Sequence, residues 1–149
     1  MSTNKNILIL GGGYAGMMTA LRLWNQTRKL FIEITRVNSR PEFIERVRNH
    51  QRAAGNSVLE HHVADWIEGT DIQFVTGWVS ALKPDEQQVI LQTEAGEFSL
   101  SYDYLVYALG SQSNGFGLAG AAEHTVGLDA EPALELALQC QSVKSKSCS

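Results

Sequence analysis

Three glycines at 11, 13 and 16, and an asparagine and an arginine at 38 and 40, are the residues here whose types and spacing could do chemistry. In "GGGYAG" (11–16) each of these glycines has its own job. Gly11 permits a tight turn, Gly13 lets backbone approach a pyrophosphate, and Gly16 lets a following helix pack close on the preceding strand. Backbone amides at the start of that helix, from Tyr14 through Ala15 to Gly16, would face phosphate with a favourable dipole. Asn38 stands 22 residues after Gly16, close to the spacing at which an acid usually binds an adenosine ribose. An amide can hydrogen-bond a hydroxyl as donor or acceptor but supplies no charge. A neutral residue with Arg40 nearby also suits a 2′-phosphate. "VNSR" (37–40) therefore leaves two ligands open, FAD and NADPH.

Such a loop needs a strand before it, a helix after it and a second strand beyond. "NILIL" (6–10) is a short continuous apolar run, as expected of a central parallel strand. "MMTALRLWNQTRK" (17–29) reads as a helix with Met17, Ala20, Leu21 and Trp24 on one stripe. Residues 30–37 read as a second strand rich in β-branched residues. "SRPE" (39–42) has the form of a capping box with proline in the first turn, and opens an expected helix carrying Phe43, Ile44 and Val47. After a break at 53–57, residues 58–69 read as another helix, with Leu59, Val63, Trp66 and Ile67 at helical spacing and Gly69 as its stop.

Further on the period changes. Residues 72–82 are extended, 83–87 a turn, 88–93 a strand, 94–96 a turn and 97–101 a strand, which together make a small antiparallel meander. Residues 104–109 are again an apolar strand, closed by Gly110, and a glycine-rich loop follows to Gly127. "AEPALELALQ" (130–139) starts a further helix, and the serine-rich 140–149 reads as a disordered polar tail. The expected fold class is α/β: a Rossmann-like FAD/NAD(P)-binding domain over 1–139 with a parallel sheet and a three-stranded antiparallel meander.

Composition bounds the partners. The chain has 149 residues, 44% of them apolar, which fits one globular domain. No apolar run approaches the length of a membrane span. The polar start "MSTNKN" is not a secretory signal, so a cytoplasmic location is expected. Cys140 and Cys148 form neither a redox pair nor a zinc pattern. Residues 1–52 carry 9 Lys and Arg against 3 Asp and Glu, while residues 53–149 carry 3 against 13. A basic end beside a glycine loop suits a phosphate-bearing ligand. Most of these arginines are expected on solvated faces. They are not interleaved with aromatics, so nucleic acid is set aside.

Other constellations weigh less. His61 and His62 stand in tandem with Asp65 four residues after His61, but no third metal ligand completes a pattern, and a polar helix face is expected. His50 reads as a surface group. The three tryptophans and the Met17–Met18 pair read as core. No G-x-S-x-G elbow supports serine hydrolysis. "GFGLAG" (115–120) has no strand leading into it and reads as a loop, not a second phosphate cradle.

The antiparallel meander followed by "YDYLVYALGS" resembles the pyridine nucleotide-disulfide oxidoreductase superfamily of two-dinucleotide flavoproteins. Within it the chain is most similar to type II NADH dehydrogenases and related FAD-dependent NAD(P)H:quinone reductases. "ILILGGGYAG", "RVNSRPEFIERVRNHQRAAG" and "VTGWVSALKP" carry the same resemblance, which spans residue 6 to about 138. It implies FAD as cofactor, NAD(P)H as co-substrate and a quinone or similar small molecule as acceptor. Gly11 to Gly16 would hold the FAD pyrophosphate, with Asn38 and Ser39 at the adenosine ribose. Val79 would meet the adenine through its backbone, Ala108 and Gly110 would pass close to the FAD, and the segment around Arg48 and His50 would come near the flavin. No residue is assigned to catalysis and none to a metal.

The chain also departs from the pattern. Leu109 stands where the family usually has threonine, and the C-x4-C of a redox disulfide is missing, so disulfide reductase activity is not expected. The second glycine-rich NAD(P)H domain and the later G-D motif are missing too, so the chain reads as truncated. Little turnover alone is then expected, with a separate chain as a possible source of the nicotinamide domain. Intact relatives could sit at a membrane periphery. Two alternatives stay open: a non-catalytic nucleotide-binding remnant or half of a split enzyme, and an NADPH-binding Rossmann enzyme.

Overall fold

The structure is a computed structural model and describes residues 4–43, 45–54, 56–57, 61–111, 118–125, 135 and 138. Its elements in chain order are β1 (Lys5–Leu10), α1 (Tyr14–Thr27), β2 (Ile32–Asn38), β3 (Glu42–Phe43), a 3-10 turn (Arg46–Arg48) and α2 (Asn49–Ala53). Then come β4 (His61–His62), α3 (Val63–Ile67), β5 (Gln73–Thr76), β6 (Trp78–Lys83), β7 (Gln88–Thr93), β8 (Gly96–Ser101), β9 (Tyr104–Tyr107) and α4 (Ala121–His124). The chain divides into two compact units, Met1–Phe43 with His61–Gly110, and Ile44–Glu60 with Ser111–Ser149.

In the first unit β1 is central because both its faces are covered. The sheet order is β5-β2-β1-β9 and every pairing is parallel. Side chains alternate across a strand, and β1 divides accordingly. Ile7 and Ile9 pack with Ala20 of α1, Ile34 and Ile72. Leu8 and Leu10 pack with Val37 and with Val89 and Leu91 of the meander. A strand buried on both faces reads as an unbroken apolar run, which is why 6–10 was legible. The meander β6-β7-β8 is antiparallel as expected, and β7 turns Val89 and Leu91 inward.

Helix α1 starts at Tyr14, three residues earlier than the apolar stripe alone suggests, so the end of the glycine motif forms its first turn. Gly16, Met17 and Ala20 are its buried face. The core expectation for Met17 holds, but Met18 is 47% exposed and Trp78 61% exposed. Trp24 lies on the α1 side under the Arg28 guanidinium, 3.8 Å from the ring centroid.

Residues 39–62 differ from expectation. The capping box at 39–42 opens no helix. Glu42 and Phe43 form a short strand paired antiparallel with His62 and His61, and Val63 N–H donates to the Pro41 carbonyl. Phe43 is buried with Met17 and Val63 and stacks on Trp66 with ring centroids 5.0 Å apart. Burial of one aromatic ring outweighs a cap worth about 1 kcal/mol. Ile44 and residues 58–60 lie outside the described residues, Leu59 among them. His61 and His62 are extended, so the helical spacing of His61 and Asp65 does not arise; α3 begins only at Val63.

Asp103 fastens the start of β9 to β1. Its carboxylate accepts from the Asn6 amide at 2.8 Å and from Lys5 Nζ at 2.6 Å, and its own N–H donates to the Asn6 carbonyl. The Asn6 amide first and the Lys5 hydrogen bond second hold its pKa below the ordinary carboxylate value. A carboxylate with a depressed folded pKa stabilises the fold fully above its unfolded pKa of roughly 4, and that contribution is lost as pH falls through the lower folded value. Asp103→Asn is therefore expected to flatten the decline in urea midpoint below about pH 4. An unchanged acid slope would show that the clamp is idle.

In the second unit the Arg46 guanidinium donates to the Ser111 carbonyl, and Arg48 pairs with Glu45 at 2.8 Å. Glu135 and Leu138 are helical. The rest of the expected 130–139 helix, the 140–149 tail and both cysteines lie outside the described residues, as do residues 112–117 and 126–127 of the expected loop, within which α4 forms a short helix instead. Among the described residues no helix is long and apolar enough to cross a membrane.

Candidate functional site

Four strand ends converge on the glycine turn. Gly11 N–H donates to the Val37 carbonyl at the end of β2, and Ala108 N–H donates to the Leu10 carbonyl, each at 2.8 Å. Gly77 N–H, between β5 and β6, donates to the Asn38 carbonyl at 2.8 Å. The turn thus lies at the carboxyl end of β1, between strands that leave to opposite sides. In open α/β sheets that crevice is where ligands bind.

Each glycine of the turn meets a different neighbour. Gly11 has φ +121°, and a Cβ there would lie 2.1 Å from the Ala108 carbonyl oxygen. A Cβ on Gly16 would lie 2.3 Å from the Gly11 oxygen, so the helix closes on the turn. A Cβ on Gly12 would strike the Asn38 amide at 2.2 Å. Around Gly13 a Cβ would meet nothing within 4 Å. Three positions are closed by the protein and one opens outward, which is the shape a phosphate cradle needs.

Gly13 caps α1 in extended conformation without a side-chain cap. The first α-helical hydrogen bond runs from Met17 N–H to the Gly13 carbonyl. The amides of Ala15 and Gly16, ahead of it, have no intrahelical acceptor. Both Gly13 and Ala15 are exposed. Tyr14, 44% exposed, leans edge-on against Phe43 with ring centroids 4.9 Å apart.

Asn38 ends β2 beside this turn. Its Nδ2 donates to the Arg40 carbonyl at 2.8 Å, which leaves Oδ1 as acceptor and a second N–H as donor. Ser39 is exposed next to it. Val79 is half-buried on β6 where a bulge separates it from Ala81. Ala108 touches Gly11, and Gly110 is exposed with φ +80°. The structure therefore brings Gly11, Gly13, Ala15, Gly16, Asn38 and Ala108 to one turn. Arg48 and His50 belong to the second unit.

Arg36 has no role in any of the motifs above. It is fully buried, although most arginines were expected on solvated faces. Its Nε–H donates to the Gly11 carbonyl at 3.2 Å, Nη1 lies 3.4 Å from Met17 Sδ, and Nη2 has no hydrogen-bond partner. Burial lowers its pKa to about 10, so it stays protonated at neutral pH. The available signal was its place: a lone cation two residues before Asn38, on the same strand face as the buried Ile34.

A parallel sheet with a glycine turn at the end of its central strand and an uncapped helix start above it defines a Rossmann-like dinucleotide-binding fold. The sequence matches the pyridine nucleotide-disulphide oxidoreductase family over residues 5–145, and the chain belongs to that family. Type II NADH:quinone oxidoreductases of Staphylococcus epidermidis and Staphylococcus aureus are each 31% identical over 123 residues, 80% of this chain. The chain spans about 30% of the length of these relatives. The sulfide:quinone oxidoreductase of Aquifex aeolicus is similar in structure, with TM-score 0.77 and 27% identity over 95% of this chain and 32% of that one. NDH2 of Plasmodium falciparum, solved in complex with NADH, shares the fold with TM-score 0.81 at 18% identity, over 99% of this chain and 31% of that one.

Proposed function

We propose that this chain is the FAD-binding part, residues 1–139, of an NAD(P)H-dependent flavin oxidoreductase. The observation that carries the reading is the open side of Gly13 within a turn otherwise closed by backbone and the Asn38 side chain. A pyrophosphate would lie there, against the amides of Ala15 and Gly16 and the exposed backbone of Gly13 and Tyr14. Asn38 Oδ1 would accept from a ribose hydroxyl, with Ser39 at its edge, and Val79 would meet the adenine through its backbone. Ala108 and Gly110 would flank the cofactor where β9 ends.

When bound, FAD would accept a hydride from NAD(P)H and pass electrons to a quinone or similar acceptor. The chain's own groups bind and orient. None of them is assigned a proton transfer. The relatives are named for NADH and quinone, and this chain matches about 30% of their length. The nicotinamide-binding part would come from further sequence or from a separate chain, and these 149 residues alone would turn over little. A cytoplasmic location, or one at a membrane surface where a quinone is reached, fits that chemistry.

A second reading, an NADPH-binding module, rests on the neutral Asn38 followed by Arg40. One experiment separates the two. The purified 149-residue chain is incubated with FAD, desalted, and its absorbance spectrum recorded, with NADPH and NADH titrated in parallel. About one flavin retained per chain is expected. A folded chain that keeps no flavin and prefers NADPH would overturn the FAD reading.

A further inference from the structure

Arg36 is used by nothing in the binding scheme above, yet it sits directly beneath the turn. It holds the Gly11 carbonyl on one side and touches Met17, in the first turns of α1, on the other. The Phe74 ring centroid lies 6.0 Å from its guanidinium carbon. None of the ion pairs among the described residues includes it. Removing a guanidinium from water is unfavourable unless an opposite charge and full hydrogen bonding compensate. Here there is one carbonyl, one sulfur and an unpartnered Nη2. A methionine or leucine would fill the same volume among Ile34, Met17 and Phe74 at less cost. Among the described residues no counter-charge balances it, and the turn whose Gly11 carbonyl it holds has its open face at Gly13.

We propose that Arg36 is a positioning residue for phosphate, a buried cation whose counter-ion is the phosphate of an adenine nucleotide lodged on the glycine turn. The proposal rests on the phosphate-loop reading of residues 11–16. Two effects act together. The guanidinium puts positive charge behind the turn in a low-dielectric setting, where charge acts over several ångströms. Its hydrogen bond also neutralises the Gly11 carbonyl, whose negative end would otherwise oppose a phosphate. The consequence is a conflict between stability and affinity at one side chain: the empty chain folds in spite of Arg36, and the liganded chain binds because of it.

Three variants of the full 149-residue chain test this: Arg36→Met, Arg36→Gln and Arg36→Lys. Affinities for FAD, ADP and adenosine are measured by titration, and urea midpoints without ligand. Arg36→Met is expected to unfold at the same or a higher urea concentration than the parent. Its Kd for ADP and FAD rises about tenfold or more, while that for adenosine, which has no phosphate, stays within about twofold. Arg36→Gln, which keeps a donor for Gly11 but no charge, follows methionine. Arg36→Lys, which keeps the charge, stays within about threefold of the parent. Equal ADP affinity in the parent and Arg36→Met overturns the proposal. So does a matching loss of adenosine binding, or early unfolding of all three variants with equal loss of ligand, since either marks a merely structural role. If the parent binds ADP but not FAD and the ADP ratios hold, the flavin reading falls and Arg36's role stands. If the parent binds neither, both fall.

Discussion

Gly13→Val is expected to fold like the parent chain and to lose its flavin. The backbone at Gly13 has φ −79° and ψ −176°, an extended conformation that a β-branched residue adopts readily. A Cβ there meets no protein atom within 4 Å. The folding cost is confined to replacing glycine at a helix N-cap, about 1 kcal/mol. The ligand is affected differently. Valine's methyls would occupy the one open side of the turn, where a pyrophosphate needs backbone contact, and would screen the amides behind it. Flavin affinity should fall at least a hundredfold, on the order of 3 kcal/mol. Urea unfolding and flavin retention after desalting read the two effects separately. Unchanged retention with an unchanged urea midpoint would remove the pyrophosphate from this turn and leave residues 11–16 a structural bend.

What could be read in the sequence follows from how local each signal is. The β1–turn–α1–β2 order was legible because an apolar run, a glycine pattern and a helical stripe are each written within about 15 residues. The meander was legible for the same reason, since each of its strands pairs with its neighbour in sequence. Residues 39–62 were not, because β3 pairs with β4 across 17 intervening residues and a capping box at 39–42 points elsewhere. Tertiary burial of Phe43 decided that segment, and no local propensity records it. The sequence also marked Asn38 and the glycines by spacing alone. It could not show that Gly12 rests on the Asn38 amide, or that Arg36 turns under Gly11 instead of into solvent. Periodicity does assign position 36 to the face of Ile34. Whether that face is covered so far along the strand depends on Met17 and Phe74, which only the fold brings there.

Gly11→Ala gives the opposite dissociation from Gly13→Val, because its Cβ has nowhere to go. The added atom would lie 2.1 Å from the Ala108 oxygen and 2.5 Å from the carbon bonded to it. Both are backbone, so no side-chain rotation relieves the contact. Gly11 also has φ +121°, a conformation that L side chains rarely adopt. Relief requires β9 to move from β1, at the expense of the hydrogen bond from Ala108 to Leu10, or Gly11 to leave its hydrogen bond with Val37. Backbone strain of about 1–3 kcal/mol and overpacking of about 1–3 kcal/mol make the expected loss about 3–5 kcal/mol. That is a large part of the 5–15 kcal/mol that usually holds a domain together. The same movement would release the Gly11 carbonyl from Arg36, so flavin would be lost along with stability. Urea denaturation of the ligand-free variant decides the matter. A loss under about 1 kcal/mol would mean that β9 can shift freely beside β1 and that the turn is not closed at Gly11. A loss of the expected size, beside an unperturbed Gly13→Val, would assign the two glycines separate work: one holds the sheet together and the other leaves room for the ligand.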